Sequence, residues 1–536
     1  MPPDTALVAA PAQGAEARTG RSPWLIAPVV ALAAFMEVLD ISIANVALNH
    51  IAGSMSASED ESTWILTSYL IANAIVLPIS GWLSEVVGRK RFFMLCIAGF
   101  TVSSVLCGLA PNLGLLVLFR ALQGATGGGL QPVSQAILVD SFPQEKRSTA
   151  FVFYALATVF APAIGPMLGG WITEEASWRW VFLINLPVGI ALLLLVNIMV
   201  QDSAAAVATR AKRLAAGLKV DYLGFGMLVV GLGSLQLLLD KGQREDWLNS
   251  HFIQLLALAA VAALVAFVVR ELRTDDPIVD LKLLKNRNFA MANGFIVVLG
   301  FVLLGSTQLL PEFVQDLLGY SATDAGLVIS PAGFMLFLIL PIVGKLSGKV
   351  DTRWLLMFGF GLSSLGLLTM TTHLDQYVDY KTIVILRVVQ MAGLPFLFIP
   401  INVAAYVGIP AEKNNMATSI INLSRNLGGS VGIAILQTLL ARRVQYHQSV
   451  LAENVGAYDD RASGALDGLT AHFQSLGVGL NDALQQAQAT LYGMVQQQSA
   501  LLAFIDCFWV MGVAFLLMLP LVLLLRKGTG GNPMAH

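Results

Sequence analysis

The chain has 536 residues, of which 56% are hydrophobic and only 12% charged, with a formal net charge of −2. Soluble domains carry about 25% charged residues, and a mean hydropathy of +0.71 means more apolar surface than a soluble fold of this length hides. This balance excludes a soluble enzyme and a secreted disulfide scaffold, and near-neutrality leaves no basic footprint for nucleic acid.

Residues 1–22 are small, polar and Pro/Ala-rich, with Arg18 and Arg21 just ahead of the first apolar block. They read as a cytoplasmic tail. The block that follows, 24–48, is longer than the ~7–15 residues of a signal h-region, so it stays as the first span. A span needs about 20 mostly apolar residues. Six blocks meet this at 24–48, 63–84, 92–110, 113–139, 149–172 and 181–200. Two more lie at 222–240 and 252–270, and a second six at 289–311, 325–344, 354–372, 382–407, 417–440 and 499–525. Lipid offers no hydrogen-bond partners, and the blocks are too long for barrel strands, so they are helices.

Lys and Arg fix the sidedness. With the amino terminus inside, 22 fall in cytoplasmic segments and seven in outer ones, as the positive-inside rule requires. Both termini are then cytoplasmic.

Pro78-Ile79-Ser80-Gly81-Trp82-Leu83-Ser84 is matched at five of seven positions by Pro341-Ile342-Val343-Gly344-Lys345-Leu346-Ser347, at an offset of 263. Arg120 with Gln123 recurs as Arg387 with Gln390, at an offset of 267. Both offsets carry an even span onto an even span, which is the mark of a parallel repeat with a substrate site between the halves. The expected fold is an all-α integral membrane protein with 14 transmembrane helices. Two pseudo-symmetric six-helix bundles, at 23–200 and 289–525, flank two inserted helices within 201–288; a tail follows at 526–536.

Charges inside spans cost at least ~2.5–3.5 kcal/mol each near the bilayer centre. Glu37 and Asp40 sit three apart on one helix face, with Arg120, Arg387, Arg425 and Asp506 in other spans. No histidine falls in a span, so the carboxylates Asp40, Glu37 and Asp506 are the candidates for carrying a proton, with Arg120 tuning Asp40. Pro162, Gly165, Pro166, Gly169 and Gly170 mark a bendable, closely packed fifth span. Gly428-Gly429-Ser430-Val431-Gly432 has the G-x-S-x-G spacing of serine hydrolases, but lacks a base and reads as a helix-packing face. There is no phosphate loop, and Cys96, Cys107 and Cys507 have no metal-ligand spacing. No cofactor or metal is expected.

Gly81-Trp82-Leu83-Ser84-Glu85-Val86-Val87-Gly88-Arg89-Lys90-Arg91 resembles the loop signature of the major facilitator superfamily, departing from it at Glu85, where an Asp often stands. Arg120 to Gly124 resembles its fourth-span motif, and Gly165-Pro166-Met167-Leu168-Gly169-Gly170 its antiporter motif. Leu39-Asp40-Ile41-Ser42-Ile43-Ala44-Asn45 resembles the first span of the fourteen-span drug:proton antiporters of the EmrB/QacA type. The resemblance implies proton-coupled export of hydrophobic drugs across a bacterial inner membrane. It also implies a periplasmic adaptor of the EmrA type and an outer-membrane channel of the TolC type. The competing readings are a dedicated exporter of one metabolite, an importer and a non-transporting sensor or scaffold.

Polar and aromatic residues inside spans, Asn45, Tyr69, Asn73, Gln123, Gln131, Phe396 and Asn402, are the expected lining of the substrate cavity. Gly81, Glu85, Gly88 and Arg89 belong to the conformational motifs. The outer segment 441–498 is far longer than an ordinary loop. It ends in a predicted helix, Asn481 to Gln498, with a stripe of Leu484, Ala487, Leu491 and Met494 that suits an adaptor or a lid.

Overall fold

The computed structural model describes residues 22–202, 221–274, 277–453 and 460–525, with a few single positions between them. Both expected tails, at 1–21 and 526–536, and most of 203–220 lie outside the described residues. Among the described residues there is no strand.

The first half comprises α1 (Pro23–Met55), α2 (Glu59–Val87), α3 (Arg89–Gly108), α4 (Leu113–Gly127), α5 (Leu130–Ser141), α6 (Arg147–Glu175), α7 (Trp180–Leu183) and α8 (Asn185–Met199). The insertion is α9 (Tyr222–Lys241) and α10 (His251–Arg273). The second half comprises α11 (Arg287–Asp316), α12 (Ala322–Leu346), α13 (Thr352–His373), α14 (Tyr380–Ala392), α15 (Pro395–Ala405), α16 (Asn414–Glu453), α17 (Asp460–Ser475) and α18 (Leu480–Val522). Short polar residues start many of them at the water ends. Ser58, Asn112, Asp221, Asn286, Ser321 and Asp379 each accept a backbone N–H of the following turn, which satisfies donors that lipid would leave bare.

Twelve helical stretches are long and apolar enough to cross a membrane, and the bent α6 makes a thirteenth. The expected count of 14 is not reached by that measure. The missing one is α16, which is 40 residues long. Asn414, Asn415, Asn422, Arg425 and Asn426 make its first half too polar.

Helices α1–α8 pack on one another and α11–α16 with α18 on one another, and the two groups meet along two seams. On one seam α6 lies against α12; on the other α2 lies against α16. The inserted α9 touches α2, α16 and its own partner α10.

Glycines fall where backbones nearly touch. A Cβ on Gly124 would lie 2.2 Å from the Tyr69 carbonyl oxygen, and one on Gly428 would lie 2.2 Å from that of Val297. Gly428 therefore serves packing of α16 on α11, as its sequence setting implies. The bend of 46° in α6 has a local cause. Pro166 has no N–H, so the Pro162 carbonyl four residues earlier loses its helical donor. Ser42 Oγ on α1 donates to that carbonyl at 3.5 Å, and Gly165 makes room for Ser42, whose Oγ would be 2.2 Å from an added Cβ.

Replacing Gly124 by Ala forces α2 and α4 apart at backbone level. The expected loss is about 1–3 kcal/mol, read as a lower thermal midpoint in detergent; an unchanged midpoint contradicts the close approach.

Candidate functional site

Lipid-embedded charge concentrates around Asp40. The Asp40 carboxylate accepts from Arg120 Nη1 at 2.6 Å, Gln123 Nε2 at 2.9 Å and Asn185 Nδ2 at 2.7 Å. Neither side chain of the ion pair is exposed at all. Helix geometry sets the partners: Arg120 and Gln123 are three apart on α4, and their side chains bond at 2.8 Å. Arg120 Nε donates to the Ile65 carbonyl at 3.1 Å, and its guanidinium lies 4.3 Å from the Tyr69 ring centroid. Asn185 also donates to Ser104 Oγ at 3.0 Å. Arg120 thus has a carbonyl, an amide oxygen and an aromatic face besides the carboxylate, so loss of Asp40's charge does not strip it of every partner.

Glu37, on the same face of α1, joins a different network. Its Oε1 accepts from Asn73 Nδ2 at 2.9 Å, while Oε2 has no partner among the described residues. Asn73 leads across the seam to Asn426 at 3.5 Å. Beside it Arg425 donates to Gln131 Oε1 and, at 2.7 Å, to Asn422 Oδ1. Tyr154 OH bonds both acceptors at 3.3 Å, and Asn422 Nδ2 donates to Gln135 at 2.8 Å. The Tyr154 ring stacks on Phe398, and Phe151 stacks on Tyr406. Polar and aromatic contacts therefore join the halves at mid-depth.

Toward the Arg89 end, the loop motif joins the halves again. Gly88 has φ +97°, a conformation that favours glycine. It starts α3 so that Arg89 reaches Asp140, which also accepts from Asn414 Nδ2 at 2.9 Å. Gly81 lets α2 meet α16: a Cβ there would lie 2.8 Å from Ser419 Oγ. Glu85 is buried within the same motif.

The second half repeats the arginine–glutamine pair without the acid. Arg387 Nη1 donates to Gln390 Oε1 at 2.6 Å and to Ser306 Oγ at 3.0 Å, and Nη2 donates to Thr307 Oγ1 at 3.1 Å. Thr307 stands 267 positions after Asp40, so a hydroxyl occupies the carboxylate's place.

Several expected lining residues lie elsewhere. Tyr69 and Gln123 belong to the Asp40 network, and Asn73 and Gln131 to the seam. Phe396 packs edge-on against Phe358, which is exposed on the outside of its bundle. Phe398, two residues on, is the ring that meets the other half. Asn402 donates back to its own helix, at Phe398 O, 2.7 Å away. Asn45 is exposed. Asp506 is remote from Asp40's partners and accepts from Arg443 Nε at 2.6 Å, with His447 Nε2 at 2.8 Å. Pro162, Gly165, Pro166, Gly169 and Gly170 hold α6 between α1 and α12, with an added Cβ on Gly170 meeting Thr323 Oγ1 at 3.3 Å. Tyr154, Asn422 and Asp140 carry no motif in the sequence, and Asn185 stands there only in the stretch Asn185-Leu186-Pro187 that resembles the family, with no site role expected of it. A signal existed for Asn422, which stands three residues before Arg425 and so shares its face.

The sequence profile of the Major Facilitator Superfamily matches residues 30–433. The chain belongs to that superfamily. It is therefore a secondary transporter, not an enzyme. It is 35% identical to the multidrug export protein EmrB of Haemophilus influenzae over 92% of this chain and 93% of that protein. It is 34% identical to EmrB of Escherichia coli K12 over 94% and 96%, and 35% identical to the fatty acid resistance protein FarB of Neisseria gonorrhoeae over 94% and 96%. These likenesses place it with the EmrB-type transporters. The solved proton:xylose symporter XylE shares the fold, with a TM-score of 0.58 at 16% identity over 95% of this chain and 97% of its own.

Replacing Arg120 by Met leaves Asp40 buried without its cation. The expected cost is about 3–5 kcal/mol of stability, measured by thermal unfolding in detergent, and adding Asp40→Asn to that variant recovers part of it. An unchanged midpoint in R120M shows that the pair is not held dry.

Proposed function

We propose that this protein is a drug:proton antiporter that exports hydrophobic toxic compounds across the bacterial inner membrane. The observation that carries the reading is the wholly buried Asp40, whose guanidinium partner keeps other acceptors when the acid takes up a proton. Protonation removes the strongest tie between α1 and α4 and changes the charge of the first half. Glu37, with one oxygen that has no hydrogen bond among the described residues and with Asn73 leading to the seam, supplies the step from Asp40's surroundings to the bundle interface. The multidrug export relatives support the cargo class.

The excess of Lys and Arg puts the Arg89 end and both termini in the cytoplasm. The opposite end then projects the far parts of α16 and α18 with α17 between them. Leu484, Tyr492 and Met494 are exposed there, while Ala487 is buried. This projection is the surface offered to an adaptor of the EmrA type, with a channel of the TolC type beyond it. Domain limits follow the repeat, at 23–200 and 289–525 with the insertion between. One proton moving down ~100 mV releases ~2.3 kcal/mol, enough for roughly a 50-fold substrate gradient.

Purified protein in liposomes with an internal pH-sensitive dye tests the coupling. Cationic, neutral and weakly acidic hydrophobic compounds are added in turn. Proton movement is expected with wild type and lost in Asp40→Asn that elutes normally on gel filtration. Wild-type proton movement in D40N overturns the assignment of Asp40.

A further inference from the structure

The inserted pair meets α2 at a corner that the transport reading does not use. Where α2 begins, α9 ends and α10 begins, a cavity of about 270 Å³ is lined by Glu61, Trp64, Lys241, Arg244, Glu245 and Phe252. Its volume lies below the ~300–1,000 Å³ of pockets that enclose drug-sized ligands, so it is not a second cargo site. Its position at the ends of three spans puts it at the level of lipid headgroups, and Trp64 and Phe252 are the kind of exposed rings found there.

The charges are arranged in two signs. Lys241 is buried, donates from Nζ to Thr63 Oγ1 at 2.9 Å and lies 5.4 Å from the Trp64 ring centroid. An ammonium has three donors, so Lys241 keeps some for an anion. Arg244 stands one turn of chain later. Glu245 is exposed, and its carboxylate has no hydrogen bond among the described residues. Glu61 has one oxygen tied to Ser58 N and Oγ, both at 2.9 Å. Below the cavity Phe252 and Leu255 on α10 are exposed and lead into the apolar face of that helix.

We infer that this corner binds the headgroup of a zwitterionic aminophospholipid. The phosphate diester sits against Lys241 and Arg244, the primary ammonium donates to Glu245, and an acyl chain runs down α10 past Phe252 and Leu255. Two carboxylates in the same wall disfavour a purely anionic headgroup, and a quaternary ammonium has no N–H to donate to Glu245. The lipid then fastens the inserted pair to α2 at the point where Thr67 donates to Asp240 and Lys241 to Thr63.

The test uses the full-length protein, purified and stripped of lipid in detergent, then offered equal amounts of phosphatidylethanolamine, phosphatidylcholine and phosphatidylglycerol. Bound lipid is counted by native mass spectrometry. Phosphatidylethanolamine is expected to be retained over both others. Each cation removed, in K241Q and R244Q, is expected to lower its retention roughly fivefold, and E245Q to remove its advantage over phosphatidylcholine. Arg244 and Glu245 are exposed, so R244Q and E245Q carry the test even where K241Q disturbs folding. Equal retention of the three lipids, or retention unchanged in R244Q and E245Q, overturns the inference.

Discussion

A carboxylate and a guanidinium held 2.6 Å apart with no solvent contact must be held by the whole of their surroundings. Taking such charges out of water costs several kcal/mol each, and their attraction repays this only when the remaining lone pairs and N–H groups are also met. Asp40 therefore draws in Gln123 and Asn185, and Arg120 draws in Ile65 O and the Tyr69 ring. Five helices are pinned at one depth as a result: α1, α2, α4, α8 and, through Ser104, α3. Gly124 and Gly128 then become necessary, because α4 can reach Asp40 only by lying against the backbone of α2.

The repeat shows how one framework serves two tasks. Arg387 and Gln390 keep the spacing and mutual bond of Arg120 and Gln123, and the acid is replaced by Ser306 and Thr307. Hydroxyls donate and accept hydrogen bonds but do not ionise near neutral pH. The second half thus has no carboxylate at the position of Asp40, and it brings a fixed charge, Arg425, to the seam. Glu37 and Arg425 reach the same polar layer from opposite bundles. It is also where Tyr154 and Phe398 stack.

Most of the fold was legible because lipid leaves so few choices. Apolar block length gave the helices, because a span must satisfy its own backbone. Arg120 and Asp40 could be paired in advance, since each is intolerable alone. What sequence spacing could not give was the direction of side chains that are tolerable in several settings. Phe396 and Phe398 are equally apolar, and only the break at Gly393 decides which ring faces the other half. Glu37 and Asp40 share a helix face by spacing, yet small differences in angle send one to the seam and the other inward. Hydropathy leaves out α16, where a span was expected, for a related reason: a helix buried on several sides by protein need not be apolar, and this one carries the asparagines that bond the opposite bundle.

The end of α9 and the turn after it are bonded to the two sides of a seam. Asp240 and Lys241 hold to α2 through Thr67 and Thr63, and Trp247 Nε1 donates to Thr438 on α16 at 3.1 Å. Any rotation that parts α2 from α16 at this end breaks the Trp247 bond or drags the α9–α10 pair along. In the second case two extra helices, broad-faced and apolar, sweep sideways through the bilayer. The viscosity of the surrounding lipid, and not only the protein's internal barrier, then enters the speed of the cycle.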